Sequence, residues 1–291
     1  MNDEIFDKYR EAGLIATKIL RDGAREIRIG TSYLDIVESI ESRVKDEGAS
    51  LAFPLNLSLN EDAAHDTASP GDTRTFAKGD VAKLDLGVHI DGYIADTATT
   101  IDLGINSLLV EASEQALEEA IRTVRPGVTA GALGAAVQSA IETRGYRPIS
   151  NLTGHGLDQY ILHRSPTIPN IGVKGGVVLE EGMVFAIEPF ATTGSGHVME
   201  KTRREIYSQL SQKPARTPSG RGILEKIRDR HGLPFSRRWL NEKKMDLTLP
   251  TLIRSQILHV YPVLSDIPGS LVSQAEHTVI VTADGCIVTT R

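Results

Sequence analysis

The hydrophobic pattern predicts an α+β protein made of two similar halves. Three observations carry that reading. Helical periodicity appears twice in succession near the start, and twice again after residue 107. Each helical pair runs into extended segments, the first of them a hairpin turned at Asp91-Gly92. About seventy residues with helical signals of their own then interrupt the second half.

Ile5, Tyr9, Ala12, Ile15, Ala16, Ile19 and Leu20 recur at helical spacing, which predicts a helix over 3–28. Leu34, Val37, Ile40 and Val44 predict a second over 34–45, with Gly48 as its stop signal. Residues 51–59 read as strand, and 60–79 as an irregular polar segment containing His65. The segments 81–90 and 93–101 flank an Asp-Gly pair, the strongest short hairpin signal. Helices are predicted at 107–124, closed by Pro126-Gly127, and at 129–144. Strands follow at 183–193 and 276–290, and the interruption carries helical patterns at 219–230 and 246–256. The expected division is a body of 1–195 plus 266–291 and an inserted subdomain of 196–265.

The chain has 291 residues, 40% hydrophobic and 24% charged, the composition of a globular protein. Its longest stretch without Asp, Glu, Lys or Arg lies between Arg125 and Glu142 and includes Thr129, Gln138 and Ser139. No transmembrane helix is expected there. The start, Met1-Asn2-Asp3-Glu4, is acidic and unlike a signal peptide. A single cysteine, Cys286, excludes a disulfide framework and a thiolate cluster, and suits a cytoplasmic protein. Any metal must then be held by imidazole and carboxylate. The net charge is −6, yet residues 196–265 hold fourteen Lys/Arg, Arg228, Arg230, Arg237, Arg238, Lys243 and Lys244 among them, against six Asp/Glu. That is either a solvated helical face or a surface for a polyanion such as ribosomal RNA.

A two-residue loop at Asp91-Gly92 sets the hairpin register. Asp85 then falls opposite Ala98 and Asp96 opposite Gly87, so both carboxylates share one face as diagonal neighbours. Around them the strands are apolar, and two buried carboxylates repel unless a cation or proton compensates. Either acid alone reads equally well as a surface residue or a cap. His155 lies in Thr153-Gly154-His155-Gly156, where flanking glycines permit close approach. Glu188 is a lone charge in Met183-Val184-Phe185-Ala186-Ile187-Glu188-Pro189, and Glu276 repeats the theme in Gln274-Ala275-Glu276-His277-Thr278.

Asp85, Asp96, His155, Glu188 and Glu276, at gaps of 11, 59, 33 and 88, resemble the five ligands of the pita-bread metallopeptidases. The segments Phe53-Pro54 to Asn60, Ala63-Ala64-His65, Lys83-Leu84-Asp85-Leu86-Gly87 and Gly154-His155-Gly156 with His163 narrow the resemblance to methionine aminopeptidases of type 2, in their archaeal form. It runs nearly end to end. It implies the pita-bread (creatinase/aminopeptidase) fold, with two pseudo-symmetric helix-helix-antiparallel-strand halves and a helical, winged-helix-like insertion.

The resemblance further implies two divalent ions per chain (Co, Mn, Fe or Zn), bridged by Asp96 and Glu276. Asp85 would complete one ion, and His155 with Glu188 the other. Glu188 would carry the proton, and His65 and His163 would hydrogen-bond the scissile peptide. Phe53, Leu162 and Tyr261 would wall the methionine pocket, with His197 within reach of it. The substrate would be the N-terminal methionine of nascent polypeptides, the state a monomer, and the basic insertion a contact to the ribosome. Alternatives on the same fold are an Xaa-Pro aminopeptidase or dipeptidase, which usually has a large N-terminal domain. Another is a non-enzymatic RNA- or ribosome-binding relative, which would have lost metal ligands.

Overall fold

The computed structural model describes residues 1–241 and 244–291, so Lys243 lies outside the described residues. Helix α1 spans Asp3–Ala24, and the Asn2 side chain caps it by accepting from the Ile5 N–H at 2.9 Å. Its stripe of Tyr9, Ala12, Ala16 and Ile19 is buried against the hairpin. Helix α2 spans Tyr33–Asp46, capped by Ser32, and the chain leaves it through Gly48 at a left-handed φ of 76°. Helices α3 (Ser107–Thr123) and α4 (Ala130–Thr143) pack on each other and on the strands of the second half.

The predicted hairpin forms as Val81–Ile90 and Tyr93–Asp102, with no bulge. Asp91 and Gly92 both take positive φ, 49° and 88°, as a tight two-residue turn requires. Val81–Ile90 also pairs with Ser50–Leu51 and Asn56–Leu59, giving a four-stranded sheet. The second half carries a five-stranded sheet ordered Cys286–Val288, His277–Val281, Val184–Ile187, Thr153–Asp158, Ile161–Pro169. The hairpin 153–169 in that sheet was not expected from the hydrophobic pattern, because Gly154, Gly156, Pro166 and Pro169 suppress the usual strand signal.

The two halves meet where Ala98 and Glu276 exchange backbone hydrogen bonds of 3.3 and 3.1 Å. On one side of this bridge the Thr278 hydroxyl accepts from Asp96 N–H (2.8 Å) and donates to Asp96 C=O (2.9 Å). On the other the Thr100 hydroxyl does the same to Gln274, at 2.8 and 2.7 Å. Two threonine hydroxyls therefore extend a short ladder that clasps one half to the other.

Residues between Ile206 and Tyr261 build their own core of Tyr207, Ile223, Phe235, Leu249, Leu252 and Leu258. Helices α5 (Pro218–Lys226) and α6 (Met245–Arg254) match the expected signals. A three-stranded sheet of Ile206–Gln209, Phe235–Ser236 and Leu258–Tyr261 joins them, which the helical pattern did not foretell. This segment is fastened to the first half by Glu41 of α2. Its carboxylate is buried and accepts from Arg238 (2.9 Å), Trp239 (2.8 Å) and the Leu55 N–H (3.3 Å). Arg230 donates to the carbonyls of Leu51 and Ala52.

Much of the positive charge of residues 196–265 is thus already paired within the molecule. Lys201 pairs with Asp62, Arg203 with Asp66 and Asp72, Arg228 with Glu225, and Arg237 with Asp246. Exposed cationic side chains remain at Arg204, Lys213, Arg216, Arg221, Lys244 and Arg254.

Candidate metal centre

One cavity is lined by Asp85, Asp96, His155, Glu188 and Glu276, and also by His65, His163, Phe53, Leu162 and Tyr261. Ten of the residues singled out from the sequence meet there. The hairpin presents Asp85 and Asp96, and Thr153–Asp158 presents His155. Glu188 follows Val184–Ile187, and Glu276 sits at the clasp. His155 Nε2 lies 3.7 Å from Asp96 Oδ2 and 3.6 Å from Glu188 Oε1. Among the described residues, Asp96, His155 and Glu276 offer ligand atoms within 4.8 Å of one another.

The glycines act differently from the expectation. A Cβ on Gly154 would stand 2.3 Å from the Ala186 carbonyl oxygen, and one on Gly156 2.3 Å from that of Ser165. They admit neighbouring strands, not a ligand. Gly87, opposite Asp96, makes room for the Phe53 ring, which a Cβ would approach to 2.1 Å.

Four carboxylates crowd this site. Burial pushes Asp85 up to about 7. Burial, and after it the charge of Asp85, hold Asp96, Glu188 and Glu276 well above the usual carboxylate range, with Glu188 adding to Asp96 and Glu276, and Asp96 to Glu276. Asp85 Oδ1 and Asp96 Oδ1 are buried with no hydrogen-bond partner, and buried acceptors of that kind are costly. Divalent cations relieve both the repulsion and the missing partners, and a set of carboxylates with one imidazole suits Mn, Fe, Co or Zn. The residues fit the group that the resemblance implies.

Burial lowers His155 to about 3 and His65 to about 4, and lowers His163 as well, so these imidazoles are neutral near pH 7. His65 has a left-handed φ of 65°, uncommon for a residue with a side chain. Its Nδ1 faces the Pro262 carbonyl oxygen at 3.3 Å. A carbonyl only accepts, so the proton sits on Nδ1 and Nε2 is left as an acceptor. The His163 ring packs edge-on against His155, centroids 4.4 Å apart.

His197 does not line the cavity, a correction to the expectation. It is exposed, with Nε2 beside Asn151 Nδ2. Asn56, Ala64, Ile206 and Pro234 line it unforeseen. Asn56 had a signal, since it stands directly opposite Asp85 on the neighbouring strand. Ile206 and Pro234 had none, because they arrive from the separate 206–261 segment.

Metal binding requires deprotonated ligands, so its pH dependence follows from these shifts. In the metal-free protein a raised carboxylate such as Asp85 contributes stability below its ordinary 3.8 that is lost as pH rises through about 7. Protons compete with metal over that same window. Hence the gain in melting temperature on adding Mn(II) to chelator-stripped protein should be larger at pH 8 than at pH 6. At hundredfold excess over Kd the gain is about 2.7 kcal/mol, or roughly 5–10 °C for a chain of this size. An equal or larger gain at pH 6 would contradict the assignment.

The metallopeptidase family M24 model matches residues 7–283. The chain is similar to the methionine aminopeptidase of Archaeoglobus fulgidus, 48% identical over 292 residues and covering all of both chains. Among solved structures it resembles a thermophilic Arx1, at TM-score 0.89 and 20% identity, covering 99% of this chain and 91% of that one. It also resembles the methionine aminopeptidase of Thermotoga maritima, at TM-score 0.74 and 23% identity, covering 100% and 98%. At those identities the two structures speak for the pita-bread fold alone. With one family spanning nearly the whole sequence and a relative alike from end to end, the chain belongs to metallopeptidase family M24, on its methionine aminopeptidase branch.

Proposed function

We propose that this enzyme hydrolyses the peptide bond after an N-terminal methionine when the next residue is small, and that it is of type 2. The observation that carries the reading is the convergence of four carboxylates and His155 on one cavity that His65, His163 and the apolar Phe53, Leu162 and Tyr261 also line. Asp96 and Glu276 would be shared between two divalent ions, Asp85 held on one side, and His155 with Glu188 on the other. Bound there, the ions supply Lewis acidity to the scissile carbonyl and the attacking water.

The protein's own groups do the rest. Glu188, as the carboxylate, takes a proton from the attacking water, and the higher proton affinity that burial gives it suits it to hold that proton until it passes to the departing amine. His65 Nε2 accepts from the peptide N–H, and His163 steadies the carbonyl oxygen as charge develops on it. Phe53, Leu162, Tyr261, Ile206 and Pro234 enclose the methionine side chain and exclude water. The last three come from the 206–261 segment, so the proposed subdomain of 196–265 helps to form the pocket.

The substrate would be nascent polypeptides in the cytoplasm, met by a monomer. Among the described residues no helix is long and apolar enough to cross a membrane. The exposed cations Lys213, Arg216, Arg221 and Lys244 would meet ribosomal phosphates. Pelleting with ribosomes at low salt should fall steeply as salt rises, and equal pelleting after charge reversal of these four would refute the contact.

Methionine release from peptides tests the function. Met-Ala-Ser should be cleaved about a hundredfold faster than a peptide beginning Met-Lys, because the resemblance implies a site that admits only a small second residue. Equal rates would overturn the specificity. Cleavage of proline dipeptides in its place would favour the Xaa-Pro alternative.

A further inference from the structure

We infer that Gln274 is a positioning residue for the metal centre, holding Asp85 and Glu276 at a fixed separation through its side-chain amide. Its Nε2 lies 3.4 Å from Asp85 Oδ2 and 3.3 Å from Glu276 Oε2. The two acids come from different halves, Asp85 from the hairpin and Glu276 from the clasp. Ionised carboxylates only accept, so the NH2 end of the amide must face both, and its two N–H groups provide one donor for each. Gln274 is 1% exposed, so no bulk water competes for these contacts.

The amide is fixed at its root as well. Thr100 binds both the N–H and the C=O of Gln274, and the backbone pairs with Phe190 on the other side. Each carboxylate therefore spends one oxygen on the amide. The other oxygen of Asp85, Oδ1, is buried without a protein partner, as a ligand oxygen must be.

The choice of an amide matters. Lysine or arginine at 274 would orient the acids equally well but would cancel the charge that attracts a cation. Among the described residues no Lys or Arg lines the cavity. Glutamine orients the carboxylates and leaves their charge intact, the usual task of an outer-shell partner.

This inference rests on the metal reading above, and the experiment separates the two. Wild type, Gln274→Met and Gln274→Asn are stripped with chelator and titrated calorimetrically with Mn(II). The Met variant keeps the length without the donors, and the Asn variant keeps the amide but falls one methylene short. Both should bind about 10–100-fold more weakly than wild type, as outer-shell substitutions do. Their chelator-state melting temperatures should stay within about 2 °C of wild type. The visible absorption spectrum of the Co(II) forms should shift, because the ligand oxygens are no longer held in place. Wild-type affinity and spectrum in both variants would overturn the role of Gln274 and leave the metal centre standing. So would a fall in chelator-state melting temperature with affinity unchanged, which would make Gln274 a packing residue only. Absence of binding by wild type would overturn both readings.

Discussion

Replacing Asp96 with alanine should lower kcat/KM for Met-Ala-Ser by about 10³-fold or more, since Lewis-acid stabilisation of several kcal/mol converts at 1.36 kcal/mol per decade. Asp96, His155 and Glu276 offer atoms within 4.8 Å of one another, so on the proposed reading the loss of Asp96 would disturb either side of the centre. The same substitution should not weaken the metal-free fold. It removes one of four crowded buried carboxylates, whose repulsion and desolvation already drive it to take up a proton. In chelator, Asp96→Ala should therefore melt at or above the wild-type temperature. Normal turnover by the variant at ordinary metal levels would overturn the shared role of Asp96.

Glu41→Ala should act the other way, on stability and far from the chemistry. It strips the carboxylate from a buried arrangement and leaves Arg238, whose side chain is only 9% exposed, without its closest partner. Breaking a buried pair from one side costs about 3–5 kcal/mol, equivalent to a fall of roughly 10 °C in Tm for this chain length. Trp239 and the Leu55 N–H lose an acceptor at the same time. Thermal unfolding by circular dichroism checks it, and a shift below about 2 °C would show that Glu41 is dispensable.

The hairpin was legible to the residue because its information is local. The Asp91-Gly92 turn fixes the register, and the register fixes which side of the sheet each acid occupies. The four long helices were legible for the same reason, with ends displaced by a few residues where caps outweigh periodicity. The strands carrying His155 and His163 were not, although the residues themselves were recognisable from their motif. Their glycines and prolines serve close strand approach, and that need is created only by the folded neighbours. Charge in the 206–261 segment was legible as a total but not as a surface. Arg230 and Arg238 count equally with Lys213 in composition, yet both are drawn inward by partners 179 and 197 residues away in the chain. Gln274 belongs to the motif that carries Glu276, and nothing in its spacing points to the two carboxylates it spans.

The threonine clasp also orders events in time. Asp96 and Thr278 are 182 residues apart, so the contact that brings Asp96 beside Glu276 is among the most non-local in the molecule. Contacts of that kind form slowly, after the local ones have paid the entropy of collapse. A copy still being synthesised has its hairpin, Asp85 and Asp96 early, but no site until Glu276 and Thr278 have been added. A chain that stops short of Glu276 thus lacks one of the four acids of the site, and on the proposed reading catalysis waits for it. Metal scarcity then acts on the assembled site, lowering the population of loaded molecules and with it the stability that loading adds, by mass action.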